Sequence, residues 1–431
     1  MKKHITLTNF LSVCCAAILL PLLGSCEKTD QTPPPCNDHI GCVEIAPDAP
    51  IKIGILQALS GEVADLGMGQ IRGIELALDT IDSKILGHEL QLQTEDTGCT
   101  MEGGGNAVLK LIADPDTVAI IGTTCSGAAA SAAHAMSKAG LVMISGNNSA
   151  PFLTSIAGEK APDFHTGYFR TASNEESAGK AAAAYAYTQL NISRAATIND
   201  GDIYTKGLTE GFRKAFEDLG GKIVFSTSIS RGEKDMGPVL DGVILAQAQM
   251  LFFPLFQPEG NLILLQARER PEFDDIALMS DGALIANSFI EKVQDKGKGM
   301  YFVGPAKPVI TPAFETLAHA YNAKFHSPPI NSYYTSAYDA AIILFQAIHN
   351  SAVVNDDGSL SIGRQKLRDT LYNTRNHHGV SGIFSCDEFG DCASPRFNIL
   401  QLSIPELGVE GLQNNIKYSH PGNSDSVNKA K

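Results

Sequence analysis

The chain reads as an α/β protein of two lobes of similar plan, each a parallel sheet with helices on both faces. Three observations predict the two α/β lobes. From Ile51 onward, short apolar runs alternate with amphipathic stretches, the β-α-β-α order that builds a parallel sheet covered on both faces. The alternation is interrupted at "YFRTASNEE" and then starts again. A length of 431 residues exceeds one ordinary domain, and 44% hydrophobic content with 19% charge suits packed cores rather than disorder.

The first segment is "MKKHITLTNFLSVCCAAILLPLLGSCEKTD". Lys2 and Lys3 precede an apolar stretch from Phe10 to Leu23, and small residues lead to Cys26. This is the pattern of a secretory signal over 1–25, too short and wrongly flanked to span a membrane. "LGSC" at 23–26 resembles the bacterial lipobox, which implies that Cys26 becomes the lipidated first residue of an exported chain, periplasmic or on the cell surface. Residues 26–50, rich in proline and polar side chains, read as a tether, and 406–431 as a loose polar tail. Without residues 1–25 the chain carries 31 basic and 47 acidic side chains, a net −16. That balance argues against nucleic acid or an anionic lipid surface as partner.

The elements follow in order. "IKIGIL" is a strand, and "GQIRGIELALDTID" sets Ile71, Ile74, Leu78 and Ile81 on one helical face. "HELQLQTED" alternates as a strand. "GGGNAVLKLIAD" is helical in its second half, after glycines that open the turn. "TVAIIG", "SGAAASAAHAMSKAG" and "LVMIS" complete the first series as strand, helix and strand. The second series runs from "SAGKAAAAYAYTQL" to "IALMSDG" in the same alternation. "GMYFVGPAKP" looks like a return crossing, and two helices follow, "PAFETLAHAYNAKF" and "YYTSAYDAAIILFQAIHN". "GVSGIFSCDEFGDCASPRFNILQL" reads as a hairpin turning at "DEFGD".

Several chemistries are weighed and set aside. "GMGQIRG" approaches a dinucleotide fingerprint, but its last gap is one residue too long and it lies well beyond the strand it should directly follow. No G-x-S-x-G elbow occurs, and Ser60, Ser126 and Ser149 have no readable histidine partner, so no catalytic residues are assigned. The pair at His377 and His378 reads as a solvated loop. "NDGDIY" lacks the glycine a calcium loop needs at its sixth position, so no metal and no cofactor are expected.

What remains is a binding cleft. "CSG" at 125–127 starts a helix after a strand, and "SGNNSAP" follows the next strand. In a doubly wound sheet both loops emerge at the carboxyl edge, where ligands sit. Backbone N–H groups at the helix start, around Ser126 and Gly127, favour a carboxylate, and the Ser126 and Ser149 hydroxyls add donors. Tyr204 and Asp281, each just after a strand of the second lobe, offer an aromatic face and an acid for an ammonium group.

Cysteines stand at 14, 15, 26, 36, 42, 99, 125, 386 and 392. Two leave with the signal and one takes the lipid, so six remain, an even number suited to an oxidising compartment. Proximity suggests Cys36–Cys42 and Cys386–Cys392, leaving Cys99 with Cys125, which could equally be two buried free thiols.

"IKIGILQALSGEVADLGMGQIRGIELALDTID", "AIIGTTCSGAAASAA", "VMISGNNSAPFLT", "YFRTASNEESAGKAAAAYA", "TKGLTEGFRKAFEDLGGKIV" and "YDAAIILFQAI" occur in that order. With them the chain resembles the type I periplasmic binding proteins, in particular the leucine/isoleucine/valine-binding proteins of branched-chain amino-acid ABC transporters. The resemblance covers about 51–402. It implies two Rossmann-like lobes, 51–170 plus 306–378 and 171–305 plus 379–405, hinged by three crossings near 170–173, 304–307 and 377–382. It implies a carboxylate site at Ser126, Asn148 (through its backbone) and Ser149, an aromatic cover at Tyr204 and an ammonium-holding acid at Asp281. It also implies the Cys99–Cys125 disulfide. Departures are Gln57 and Ala58 in "QALSG", an amide at Asn148 and an aspartate rather than glutamate at Asp281; these put leucine specificity in question. The expected function is capture of a small amino acid or related zwitterion for an ABC permease, without covalent chemistry. A ligand-sensing surface receptor and an exported enzyme are the alternatives.

Overall fold

A computed structural model describes residues 36–307 and 309–420; the signal over 1–25 and Cys26 lie outside the described residues. After β1 (Cys42–Ile45) the chain forms β2 (Ile51–Gln57), α1 (Ala64–Thr80), β3 (Lys84–Ile85), β4 (His88–Asp96), α2 (Met101–Ile112), β5 (Thr117–Gly122), α3 (Ser126–Lys138), β6 (Met143–Ser145), the short pair β7 (Ser155–Ile156) and β8 (Glu159–Lys160), and β9 (Tyr168–Arg170). Six of these make one sheet in the order β3-β4-β2-β5-β6-β9. Every pairing from β4 to β9 is parallel, and β3 joins antiparallel.

The second series is α4 (Glu176–Thr188), β10 (Arg194–Asn199), α5 (Ile203–Asp218), β11 (Lys222–Ser228), α6 (Gly237–Leu245), β12 (Met250–Phe252), α7 (Glu259–Ala267), β13 (Ala277–Ser280), α8 (Asn287–Val293) and β14 (Tyr301–Pro305). Next come α9 (Pro312–Phe325), α10 (Tyr334–Ser351), β15 (Ala352–Val354), β16 (Leu360–Gly363), α11 (Arg364–Tyr372), β17 (His377–His378), β18 (Ile383–Phe384), β19 (Phe397–Gln401), α12 (Gly408–Asn414) and β20 (Ile416–His420). The second sheet runs β11-β10-β12-β13-β14-β19-β20, parallel as far as β14 and antiparallel beyond it.

Burial explains why these runs become sheets. β2 and β5 are inaccessible along almost their whole length, as strands covered by helices on both faces must be. One core cluster joins Ile53, Ile121, Ile144 and Phe169 to α10, and a second joins Ile198, Leu251 and Phe302 to the helices of the second sheet. A third continues from Leu56, Val108 and Met143 through Tyr168 and Tyr204 to Phe212 and Phe252. The glycines of "GMGQIRG" serve packing, not phosphate binding. A Cβ on Gly73 would sit 2.2 Å from Tyr334 O, so α1 and α10 meet backbone to backbone.

Several expectations are corrected. The glycines at 103–105 lie inside α2, not before it: Thr100 caps the helix by accepting from Gly103 N–H, and Gly104 lets α2 lie against Ala128 of α3. The expected tether ends early, because β1 pairs antiparallel with β16 and buries Val43 and Ile45. The expected tail from 406 is ordered to 420. α12 buries Val409 and Leu412, and β20 covers the edge of β19, placing Tyr418 against Tyr185. His377 and His378 pair with β18 rather than forming a solvated loop. The expected hairpin is smaller than drawn: β19 pairs with β14 and β20, and the bridge across the expected turn is Phe384 to Ala393. Phe384, Cys386 and Cys392 belong to the core of the first sheet, so the chain leaves that sheet between Ala393 and Phe397, later than the expected 377–382.

Gly73→Ala should lower stability by about 1–3 kcal/mol through the forced α1–α10 separation. The check is a lowered urea midpoint with an unchanged slope.

Candidate functional site

Residues that follow strand ends of both sheets close on one small cavity. Thr124 and Ser126 come after β5, Asn147 and Ser149 after β6, Phe256 after β12, Ala283 after β13, and Tyr204 from the first turn of α5; Leu66 of α1 and Tyr333 before α10 complete the wall. The cavity is about 20 Å³, room for about one water molecule. A larger groove of about 470 Å³ between α10 and α11 is open to solvent, and its charged residues, Lys366, Asp369 and Arg375, are exposed. Two wholly or nearly buried acids, Asp281 and Glu175, touch residues of the small cavity instead.

The expected residues sort as follows. Ser126, Ser149 and Tyr204 line the cavity. Ser126 Oγ accepts from Ala150 N–H at 3.3 Å. Asp281 is wholly buried behind the wall; the Tyr204 hydroxyl donates to its Oδ2, and Ser280 Oγ lies 3.3 Å from its Oδ1. Burial pushes the Asp281 carboxyl up to about 7, against the pull of these hydrogen bonds.

Two expected contributors are engaged elsewhere. The Asn148 N–H donates to Ser145 Oγ at 2.9 Å, and its Oδ1 accepts from Thr123 N–H at 3.1 Å and from the Tyr168 hydroxyl at 3.2 Å. Its neighbour Asn147 faces the cavity, with Nδ2 donating to Thr124 O at 2.7 Å. At Gly127 the start of α3 meets a carboxylate of the protein itself. A Cβ there would lie 2.4 Å from Asp202 Oδ2, and the Gly127 N–H helps to stabilise the ionised Asp202 against its burial.

Asp202 also caps α5 by accepting from Tyr204 N–H, so "NDGDIY" is a turn and a helix cap. Arg231 lies over this corner, 3.1 Å from Asp202 and 3.3 Å from Asp200, and donates to Cys99 O at 2.6 Å. Cys99 and Cys125 are joined with Cα atoms 5.2 Å apart, fixing the loop before α2 to the start of α3. Cys36–Cys42 and Cys386–Cys392 are the other joined pairs.

Sequence reasoning missed Glu175. It ends the "TASNE" segment and is 4% exposed, and its N–H donates to Ser149 O at 2.9 Å. Its Oε2 is buried without a hydrogen-bond partner. Burial first, then the neighbouring Asp281 charge, pushes the Glu175 carboxyl up to about 8. Tyr333, Leu66, Phe256 and Asn147 were missed too. The strand-end rule that selected Ser149 would have reached Asn147, and Glu175 also stands just past a strand, immediately before α4. Among the residues lining the cavity none is basic, so the local field favours a cation.

A model of the periplasmic binding protein family matches residues 50–389. The Leu/Ile/Val-binding protein BraC3 of Rhizobium johnstonii is 25% identical over 354 residues, covering 81% of this chain and 91% of its own. The leucine binding protein LivK of Thermotoga maritima superposes with a TM-score of 0.73 at 23% identity, covering 82% of this chain and 96% of its own. The branched-chain amino acid transporter substrate binding protein LivJ of Streptococcus pneumoniae, solved in complex with isoleucine, gives 0.71 at 21% identity, covering 86% and 99%. The family match spans most of the chain and takes in the first sheet, the second as far as β14 and every residue lining the cavity: this chain belongs to the periplasmic binding protein family and has its type I fold.

Proposed function

We propose that this protein is an exported, lipid-anchored solute-binding protein that captures a small amino acid or related zwitterion between its lobes and delivers it to an ABC permease. The observation that carries the reading is the wholly buried Asp281, held by Tyr204 at a cavity with no basic side chain in its wall. A buried acid of this kind needs a cation, and a ligand ammonium group supplies one. The hydroxyls of Ser126 and Ser149 and the amide of Asn147 are neutral donors suited to the ligand's carboxylate. The small cavity requires the lobes to part for a ligand to enter, and contacts made only on closure then favour the closed form. The Leu/Ile/Val-binding proteins of Rhizobium johnstonii and Brucella melitensis, similar to this chain over most of its length, support an amino-acid ligand.

The test is a thermal-shift panel on the full chain in mild detergent, partially unfolded and dialysed beforehand to strip carried-over solute. The panel holds the twenty L-amino acids, small amides and aromatic acids. An amino acid present at 100 times its dissociation constant should add about 2.7 kcal/mol of stability. Asp281→Ala should abolish that shift. A panel in which only acids without an amine respond would sink the reading. The anchor has its own check: Cys26→Ser should lose incorporation of labelled palmitate and partition from membrane to soluble fraction.

The buried acids also set a pH dependence. Glu175 and Asp281 have folded values near 8 and 7, above their ordinary values of 4.5 and 3.8. A raised folded value means stability that is fully present below the unfolded value and lost as pH rises through the folded one. The ligand-free protein should therefore lose on the order of a few kcal/mol between pH 4 and pH 8. Glu175→Gln should flatten that decline in denaturation curves measured across the range.

A further inference from the structure

Asp281 is one of two wholly or nearly buried acids close enough for the charge of one to act on the other. Asp281 directly follows β13 of the second sheet. Glu175 stands where the chain passes between the sheets, tied by its N–H to Ser149 O of the loop after β6. Asp281 has the Tyr204 hydroxyl on Oδ2 and Ser280 on Oδ1, whereas Glu175 Oε2 is buried and unpartnered. Burial first, and then the charges of the two acids, pushes the hydroxyls of Tyr204 and Tyr333 well above the usual phenol range. Arg170 is the cation that acts on Glu175, but its guanidinium is already taken by Asp391 at 2.5 Å and by Ala150 O at 2.7 Å. Two carboxylates so placed, out of water and without a free cation, cannot both be ionised at neutral pH.

We propose that Glu175 is a second carboxylate for the ligand's ammonium group, paired with Asp281 so that the free site keeps one shared proton and a protonated amine expels it on binding. This rests on the solute-binding reading above. The balance is simple: the pair goes from one negative charge to two, the ammonium brings one positive charge, and the proton leaves to solvent. No bond other than an O–H of the pair is broken. Affinity then rises with pH until the free pair has lost its last proton, and levels off above that point. An acid or amide lacking the amine would leave the pair protonated and gain nothing from it, so the two carboxylates set specificity as well as affinity.

The experiment is titration calorimetry of the full chain in mild detergent at pH 7, in two buffers of different ionisation enthalpy. The probes are the twenty L-amino acids, n-propylamine and propionate. Release of about one proton per molecule bound is expected for an amino acid that binds. Glu175→Gln should reduce that count to near zero and weaken binding at least about tenfold, while Glu175→Asp should restore release even if the glutamine variant folds poorly. Binding of an amino acid without proton release, or with release unchanged in Glu175→Gln, overturns the proposal and leaves the solute-binding reading intact. Binding of n-propylamine with proton release, when no amino acid binds, upholds the acid pair and overturns the zwitterion. Failure of every amine to bind the wild-type chain overturns both.

Discussion

Arg170 is the constraint on which the rest of the site depends. It is wholly buried at the end of β9, where the chain leaves the first sheet. Its Nε meets Asp391 at 2.5 Å, Nη1 donates to Ala150 O at 2.7 Å, and Nη2 donates to Thr154 Oγ1 at 2.5 Å. Its backbone is pinned as well: its N–H donates to Gly390 O, and its carbonyl accepts from Cys392 N–H. One guanidinium thus fixes the loop after β6 and the turn at 386–392. A charge taken out of water this completely is tolerable only because each donor has a partner, and removing one partner would leave it uncompensated. The Cys386–Cys392 pair has a physical role in this setting. It brackets Asp391 and holds the turn that presents the counter-ion. Asn174, next to Glu175, also donates to Asp391 at 3.0 Å, so the same node places the second acid.

The acids and the arginine divide the interior into two regimes. Around Arg170 the charges balance. Around Glu175 and Asp281 they do not, because the arginine is spent on Asp391 and the cavity wall is neutral. Folding therefore raises the carboxyl values there rather than neutralising them with an ion pair. The fold sustains this imbalance because its two cores bury continuous apolar layers that do not depend on the cleft. Such a local inconsistency in an otherwise consistent chain is where function is expected.

The layered fold was legible because it rests on local periodicity. β2, α1, β5 and α3 each carry their pattern within a dozen or so residues, and the strand-end rule then selects Ser126, Ser149 and Tyr204 without further information. What was not legible depends on partners far away in the chain. β1 is four residues long and is a strand only because β16 lies beside it, more than 300 residues on. Asn147 and Asn148 are neighbours of identical chemistry. Which one faces the cavity is decided by Thr123 and Tyr168, which claim the Asn148 side chain. Glu175 looks like a solvent-facing acid before a helix, and only the packing of the Ser149 loop against it removes the water.

The start of α3 joins these strands of argument. Asp202 belongs to the turn after β10 and Gly127 to the helix after β5, so their contact exists only where the two lobes meet. A helix start offers few unpaired N–H groups, and a carboxylate from the other lobe already stands at one of them. Any outside anion at that position competes with Asp202, which Arg231 in turn holds in place while it reaches Cys99 O. The Gly127 N–H at the start of α3 is therefore taken by the protein's own Asp202 when the lobes are closed. The acid end is not satisfied in this way, since Glu175 Oε2 keeps no partner. Discrimination between solutes must then reside mainly at the acid end, because a buried group left unpaired by the wrong ligand costs more than a donor already satisfied within the protein.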